Sequence, residues 1–377
     1  MLATIVLFKS FLKGGLYCLL KTSHAEILMA PFQDGVLVTG STGFIGRALC
    51  AELAKRNLNF RPVIRTLPET TLASPSSSDA YSVSDISGST SWNQAFDNIS
   101  TVVHLAARVH VMDRYTKSDS DLYNKLNVDG TRRLAEQAAA AGVKRFVYLS
   151  TAKVHGDSTA YSPDGRLCSI SEDSPFVAVE PYAKSKCQAE AALRLIEKQS
   201  ELEVVILRPT LVYGPGVRAN FFNLVRLADS GLPLPLQSVK NMRSIVYIGN
   251  LVDAILRACS MPQAAGENFL VADKDPISTP HLIELIAASL GRQPRLFPCP
   301  TPVLNWVGRL IQRSQQISRL TESSVASTKH IEERLQWVHP FTSEQGIAMT
   351  CDWYREQPGA RRDTSVTPYG IGMKSKW

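Results

Sequence analysis

Short runs of small and β-branched apolar residues alternate along this chain with segments whose apolar positions recur every three to four residues, a pattern of strands followed by helices. The first pair is the most sharply drawn. VLVTG, from Val36 to Gly40, breaks into a loop holding Gly43 and Gly46, and RALCAELAKR continues with helical spacing. FRPVIR (60–65) predicts a second strand, a Ser/Pro/Thr-rich loop covers 66–80, and YSVSDI gives a third strand. TVVHLAA (101–107) reads as a buried strand ending in two alanines, and 122–142 as a helix with a glycine stop. KRFVYLST then gives a strand ending at Ser150 and Thr151, PYAKSKCQAEAALRLIEK (181–198) a helix, and VVILRPTLVYGPG (204–216) a strand running into a Gly/Pro turn. Beyond it, IVYIGNLVDAILRAC is expected to rejoin the sheet as strand then helix. FLVAD, the helix HLIELIAASLG, a Pro-rich link and one amphipathic helix near 304–320 follow. No internal repeat is visible.

This alternation predicts an α/β fold, a doubly wound parallel sheet of the Rossmann type with a smaller α+β C-terminal substrate domain. The expected division is a dinucleotide-binding domain over 29–210, completed by about 244–262, and a substrate-binding part over 211–243 and 263–357. Residues 358–377 read as a disordered tail.

At 377 residues, with 44% hydrophobic and 20% charged positions, the chain is an ordinary globular protein. Its formal charge of +7 is concentrated at the ends, +2 over 1–28 and +3 over 358–377, which leaves +2 for the body. That distribution, without an aromatic-basic platform, argues against nucleic acid. The seven cysteines are scattered and lack paired or metal-ligand spacing, which points to a reducing, cytoplasmic compartment and to no metal site. Lysines interrupt the apolar patches of 1–28, so neither an integral membrane segment nor a secretory signal is expected. Met29 is the preferred true start, with a weak amphipathic membrane contact by 1–28 as the other reading.

The three glycines suit three tasks: a tight turn, backbone approach to a pyrophosphate, and close packing of helix on strand. Gly40, Thr42, Gly43, Phe44 and Ile45 are therefore candidate cofactor contacts. Strand two ends in Arg65, where NAD-preferring enzymes place an acid, and a guanidinium suits a 2′-phosphate; NADP(H) is the preferred cofactor and NAD(H) the alternative. Asp85 and Ile86 could border the adenine, and Leu105, Ala106 and Ala107 leave room for the dinucleotide. His104 reads as a packed histidine. Tyr182 and Lys186, four apart on one helical face, form an acid/base pair in which a nearby ammonium is expected to lower the phenol pKa.

TGSTGFIG, HLAA, NVDGT, the Ser-Thr strand end, YAKSK and RPTLVYGPG occur in this order, and together they resemble the extended short-chain dehydrogenase/reductase family, the nucleotide-sugar epimerase/dehydratase group. The resemblance spans about 34–355. It implies that Thr151 holds the substrate oxygen, Tyr182 is the acid/base, and Lys186 grips the nicotinamide ribose. Asn127 matches the asparagine of the helix motif, and Asn220 and Arg243 match positions that contact a UDP diphosphate. The acid pair of the 4,6-dehydratases is replaced by Ala152 and Lys153, which argues against dehydration. C4 epimerisation and C4 ketoreduction of a UDP-hexose or UDP-N-acetylhexosamine derivative, in polysaccharide precursor synthesis, both stay open. The C4 reductases that make UDP-N-acetylquinovosamine are the most similar branch, and His155 stands where many epimerases have tyrosine. A homodimer through the helices at 120–141 and 182–199 is also implied. The alternative class is a non-catalytic NADP(H)-binding sensor or scaffold.

Overall fold

The computed structural model describes residues 34–65, 80–109, 121–159, 161–162, 164–310 and 312–357. The expectations for 1–28, for most of the 66–80 loop and for 358–377 lie outside them.

Strands β1 (Gly35–Thr39), β2 (Phe60–Arg65), β3 (Tyr81–Val83), β4 (Ile99–His104), β5 (Arg145–Leu149), β6 (Glu203–Pro209) and a later strand, Asn268–Val271, form one sheet. Its strand order is β3-β2-β1-β4-β5-β6, with Asn268–Val271 at the far edge, and every pairing is parallel. The order reverses between β1 and β4, and in such sheets the crevice beyond the strand ends at that reversal is where ligands sit. The two faces of each central strand feed different cores. Val36, Val38, Val103, Val147, Val205 and Leu207 face one cluster, and Leu37, Val102, Phe146, Val204 and Ile206 face the other, as a sheet covered on both sides requires.

Helix α1 (Phe44–Lys55) follows β1. The helix predicted over 122–142 passes through wide π-type turns at Asn124–Gly130 and continues as α2 (Thr131–Ala140). The long helix α3 (Pro181–Gln199) carries Tyr182 and Lys186, with Pro181 at its first turn, where a missing N–H costs nothing. Strand β4 stops at His104, so Leu105–Ala107 form a loop rather than the strand end expected.

Three further expectations need correction. Ile245–Tyr247 (β8) does not rejoin the sheet; it pairs with Leu211–Tyr213 (β7) in a separate two-stranded sheet. Asn268–Val271 (β9), expected in the substrate-binding part, supplies the seventh strand beside β6. Both are short apolar runs, and local pattern does not say which finds the open edge. Helix α5 (Ile248–Ser260), which follows β8, does return to cover the sheet. The single helix near 304–320 is two, α7 (Thr301–Leu310) and α8 (Ser314–Thr321), broken where Gln312 adopts φ 55°. The remaining helices are α4 (Ala219–Asp229), α6 (Thr279–Ser289), α9 (Lys329–Arg334) and α10 (Ser343–Arg355).

Candidate active site

The β1–α1 turn lies at the strand-order reversal. Gly40 adopts φ +70°, and a Cβ there would stand 2.7 Å from the Ala106 backbone nitrogen, so the turn is pressed against the loop that leaves β4. Gly46 is tighter still: its Cβ would meet the Gly40 carbonyl oxygen at 2.1 Å. Gly43 differs, because only that oxygen, at 3.1 Å, approaches its Cβ position, and the space in front is open. Gly43 also caps α1 with no side-chain hydrogen bond, and the first turn holds no acid. A helix start with uncapped N–H groups and an open glycine face fits a dinucleotide pyrophosphate. Thr42, Phe44 and Ile45 complete that turn.

His104 lies behind it, fully buried between two hydroxyls, with Nδ1 2.6 Å from Thr39 Oγ1 and Nε2 2.9 Å from Thr131 Oγ1. Neutral imidazole offers one donor and one acceptor, which matches both partners. Burial first, and the Lys186 charge second, push its pKa down to about 3. It is the packed histidine the sequence suggests.

Asp85 and Ile86 follow β3. The Ile86 N–H donates to Asp85 Oδ1 at 2.9 Å, and an open cavity of about 440 Å³ there is lined by Ser82, Asp85, Ser87, Thr90 and Lys125. Gly130 is glycine because a Cβ would strike Ile86 Cγ2 at 2.8 Å. Arg65 ends β2 exposed, in register with Val83.

The buried Asn127 is spent on protein contacts. Its Oδ1 accepts from the Arg108 N–H at 2.8 Å, and Nδ2 donates to the Arg108 carbonyl at 3.2 Å and to Ser185 Oγ at 2.9 Å. It thus fastens the loop beyond Ala107 to α3.

Thr151, Tyr182 and Lys186 come together where β5 meets α3. Lys186, 2% exposed, donates through Nζ to the Leu149 carbonyl at 2.7 Å and lies 4.5 Å from the centre of the Tyr148 ring. That bond pins it two residues before Thr151. Burial lowers its pKa to about 7 against the opposing pull of Glu190. Tyr182 sits one helical turn earlier, half-buried, with its ring 6.4 Å from that of Tyr123. In the chain alone the phenol pKa is raised, by burial first and Tyr123 second; the lowering expected from the sequence rests on a cationic nicotinamide beside the lysine. Lys186 is turned toward Leu149 and Tyr148, and its charge does not offset that burial in the chain alone.

Sequence reasoning missed the group that backs this cluster. The buried Ser150 hydroxyl donates to Glu190 Oε1, while Thr151 Oγ1 accepts from the Lys153 N–H at 3.3 Å. Glu190 also accepts from Arg208 Nη2 at 2.7 Å and Nε at 3.2 Å. Arg208 Nη1 in turn donates to His155 Nε2 at 3.1 Å, and desolvation followed by the Arg208 charge lowers the His155 pKa. The signal was present. Glu190 lies on the same face as Tyr182 and Lys186, and Arg208 is a charge inside an apolar strand, which demands a partner.

Lys153 is bound 3.0 Å from both Asp157 and Glu180, so no acid pair follows Thr151. Arg243 donates to the Glu322 carbonyl at 3.1 Å and feels Asp157 and Arg319, which joins it to this polar rim. Asn220 stands exposed in the first turn of α4. Among the described residues no cluster of three metal-ligating side chains exists.

The sequence profile of the NAD dependent epimerase/dehydratase family matches residues 36–272. A UDP-glucose 4-epimerase of Vibrio cholerae is 37% identical over 317 residues, covering 84% of this chain and 94% of that protein. An N-acetyl-alpha-D-glucosaminyl-diphospho-ditrans,octacis-undecaprenol 4-epimerase of Escherichia coli O157:H7 is 26% identical over 338 residues, 85% of this chain and 95% of that one. Among solved structures, MoeE5 in complex with UDP-glucose and NAD superposes with a TM-score of 0.65 at 26% identity, covering 85% of this chain and 98% of the other.

Proposed function

The chain belongs to the NAD-dependent epimerase/dehydratase family and is an enzyme, and from that premise we propose that it interconverts the C4 configuration of a UDP-linked hexose or N-acetylhexosamine, using Thr151, Tyr182 and Lys186. One observation carries the reading: Lys186 is tied to Leu149 beside Thr151, on the strand next to the sheet's reversal point, with Tyr182 one turn away on the same helix. Bound at the glycine turn, NAD(H) supplies the hydride acceptor and donor for the sugar carbon.

Gly40, Gly43 and the first turn of α1 would hold the pyrophosphate, with Leu105, Ala106 and Ala107 beside them. Thr151 donates a hydrogen bond to the C4 oxygen and orients it. Tyr182 accepts that oxygen's proton as the carbonyl forms and returns it as the hydroxyl re-forms. Burial favours the neutral phenol, so Tyr182 depends on positive charge brought to it, and Lys186 is the buried cation on its own helix face. Arg243 is suited to a substrate diphosphate. With Ala152 and Lys153 after Thr151, the acid and base that dehydration requires are missing.

Ketoreduction is the second reading, favoured by His155 in the position often held by tyrosine and by Arg65 at the end of β2. The same proposal carries a cytoplasmic enzyme, with Cys50, Cys168, Cys187, Cys259, Cys299 and Cys351 free, and a homodimer through α2 and α3.

Tyr182→Phe should lower turnover by roughly 10²- to 10⁴-fold while leaving cofactor binding intact. Undiminished turnover removes the proposed acid/base. Incubation with UDP-glucose, UDP-N-acetylglucosamine and a UDP-4-keto-6-deoxy sugar separates the two reactions. Sugar interconversion without net cofactor change means epimerase, and stoichiometric loss of reduced cofactor means reductase.

A further inference from the structure

Helix α7 buries only a narrow stripe. Leu304 and Gly308 face inward, where Gly308 is so close to α8 that a Cβ would stand 2.7 Å from Ile317 Cγ1. Val303, Trp306, Val307 and Leu310 recur at helical spacing on an adjoining face and are 46%, 61%, 39% and 63% exposed. Phe297, 44% exposed, precedes the helix. Four large apolar side chains on one exposed helical stripe are not scattered surface residues; they form a face that no described residue covers.

Charge says what covers it. From 285 to 321 the chain holds five arginines and no acid. Arg292 is paired with Asp229, and Arg319 lies 3.9 Å from Glu180. Arg295, Arg309 and Arg313 are exposed and make no ion pair among the described residues. A second copy related by a two-fold axis would set these cations against themselves. An apolar stripe centred on tryptophan and flanked by unpaired guanidinium groups fits the headgroup layer of a bilayer, where the rings and aliphatic chains enter and the arginines meet phosphates. No described helix is long and apolar enough to cross a membrane, so the contact is one of lying on the surface.

We propose that α7 is a peripheral membrane-docking element that inserts Val303, Trp306, Val307 and Leu310 into a bilayer bearing anionic headgroups. The test is co-sedimentation of the full chain with phosphatidylglycerol/phosphatidylethanolamine vesicles and with phosphatidylcholine vesicles, beside the double variant Trp306→Glu/Leu310→Glu. Both proteins keep the same basic termini, so their difference reports α7 alone. Wild type should bind the anionic vesicles, with a blue shift in emission that Trp306→Phe abolishes, and the double variant should lose binding roughly tenfold or more with its melting temperature unchanged. Equal sedimentation of the two proteins, or equal binding to neutral vesicles, overturns the proposal. So does concentration-dependent self-association that the double variant abolishes, which would assign the face to a second copy. Should the double variant unfold, Arg309→Glu/Arg313→Glu replaces it, and unchanged binding to anionic vesicles then overturns the proposal.

Discussion

Lys186 is a side chain whose charge is finely balanced. An ordinary lysine titrates at 10.5, whereas burial brings this one to about 7, with Glu190 pulling the other way. Between those two values the unfolded chain holds a proton that the folded chain has released. Stability of the cofactor-free protein therefore rises with pH across that window, by up to about 1.4 kcal/mol per pH unit from this group alone. Below it both states are protonated, and the penalty for the buried ammonium is constant and at its largest. Lys186→Met should remove the slope, which denaturant midpoints of the two proteins at intervals across the window would reveal as a difference that grows toward low pH. A difference independent of pH means that Lys186 titrates normally. The same balance bears on the reaction, because Tyr182, itself pushed up by burial, needs the positive form of its neighbour.

The β1–α1 unit works as a single piece because Gly46 lets the helix touch the turn that precedes it. Any side chain there meets backbone, at 2.1 Å from the Gly40 oxygen and 2.7 Å from Ser41 Cα, and neither can swing aside. Gly46→Ala should cost about 1–3 kcal/mol or more and weaken NAD binding beyond what the stability loss explains, since moving α1 moves the pyrophosphate seat. Thermal melts with and without cofactor, beside a cofactor titration, check both; an unchanged affinity would falsify the close-packing role. Such local units are what a sequence shows clearly. The glycine turn, the Pro181 start and the Tyr182–Lys186 spacing are all fixed within a few residues of each other. Partner choice at a distance is not. Ile245–Tyr247 and Asn268–Val271 have the same short apolar character, yet the first pairs with Leu211–Tyr213 and the second with β6. Apolar spacing also runs on through the break at Gln312, because Leu304 and Ile317 both turn inward from different helices. For the site itself, chemistry was legible and support was not: Tyr182, Lys186 and Thr151 stand in recognisable company, while the Glu190–Arg208 pair becomes visible only when β6 and α3 are set side by side.

At the scale of the whole molecule, the large sheet and the smaller part meet on one carboxylate. Asp273 lies just past β9 and is 3% exposed. Its N–H donates to the Ile245 carbonyl at 2.7 Å. Oδ1 accepts from the Tyr247 N–H at 2.9 Å and Asn250 Nδ2 at 2.8 Å, and Oδ2 from the Tyr213 hydroxyl at 2.8 Å and Ser343 Oγ at 3.4 Å. One side chain thus joins the edge of the seven-stranded sheet to both strands of the small sheet, to α5 and to the start of α10. Burial raises its pKa, and the hydrogen bonds from Tyr247, Asn250 and Tyr213 oppose that rise, so the charge is kept only while its donors stay in place. Asp273→Ala strands those donors in a dry interior and should cost on the order of 3 kcal/mol or more. The loss should be uneven. Hydrogen exchange should quicken at β7, β8 and the first turn of α10, while β1, β4 and β5, to which none of these hydrogen bonds runs, keep their protection. Asp273→Asn, which keeps an acceptor for Tyr247 but turns an amide against Tyr213 or Asn250, should fall between. Uniform acceleration across the chain would mean instead that the two parts unfold as one body, with Asp273 as no more than another buried polar group within it.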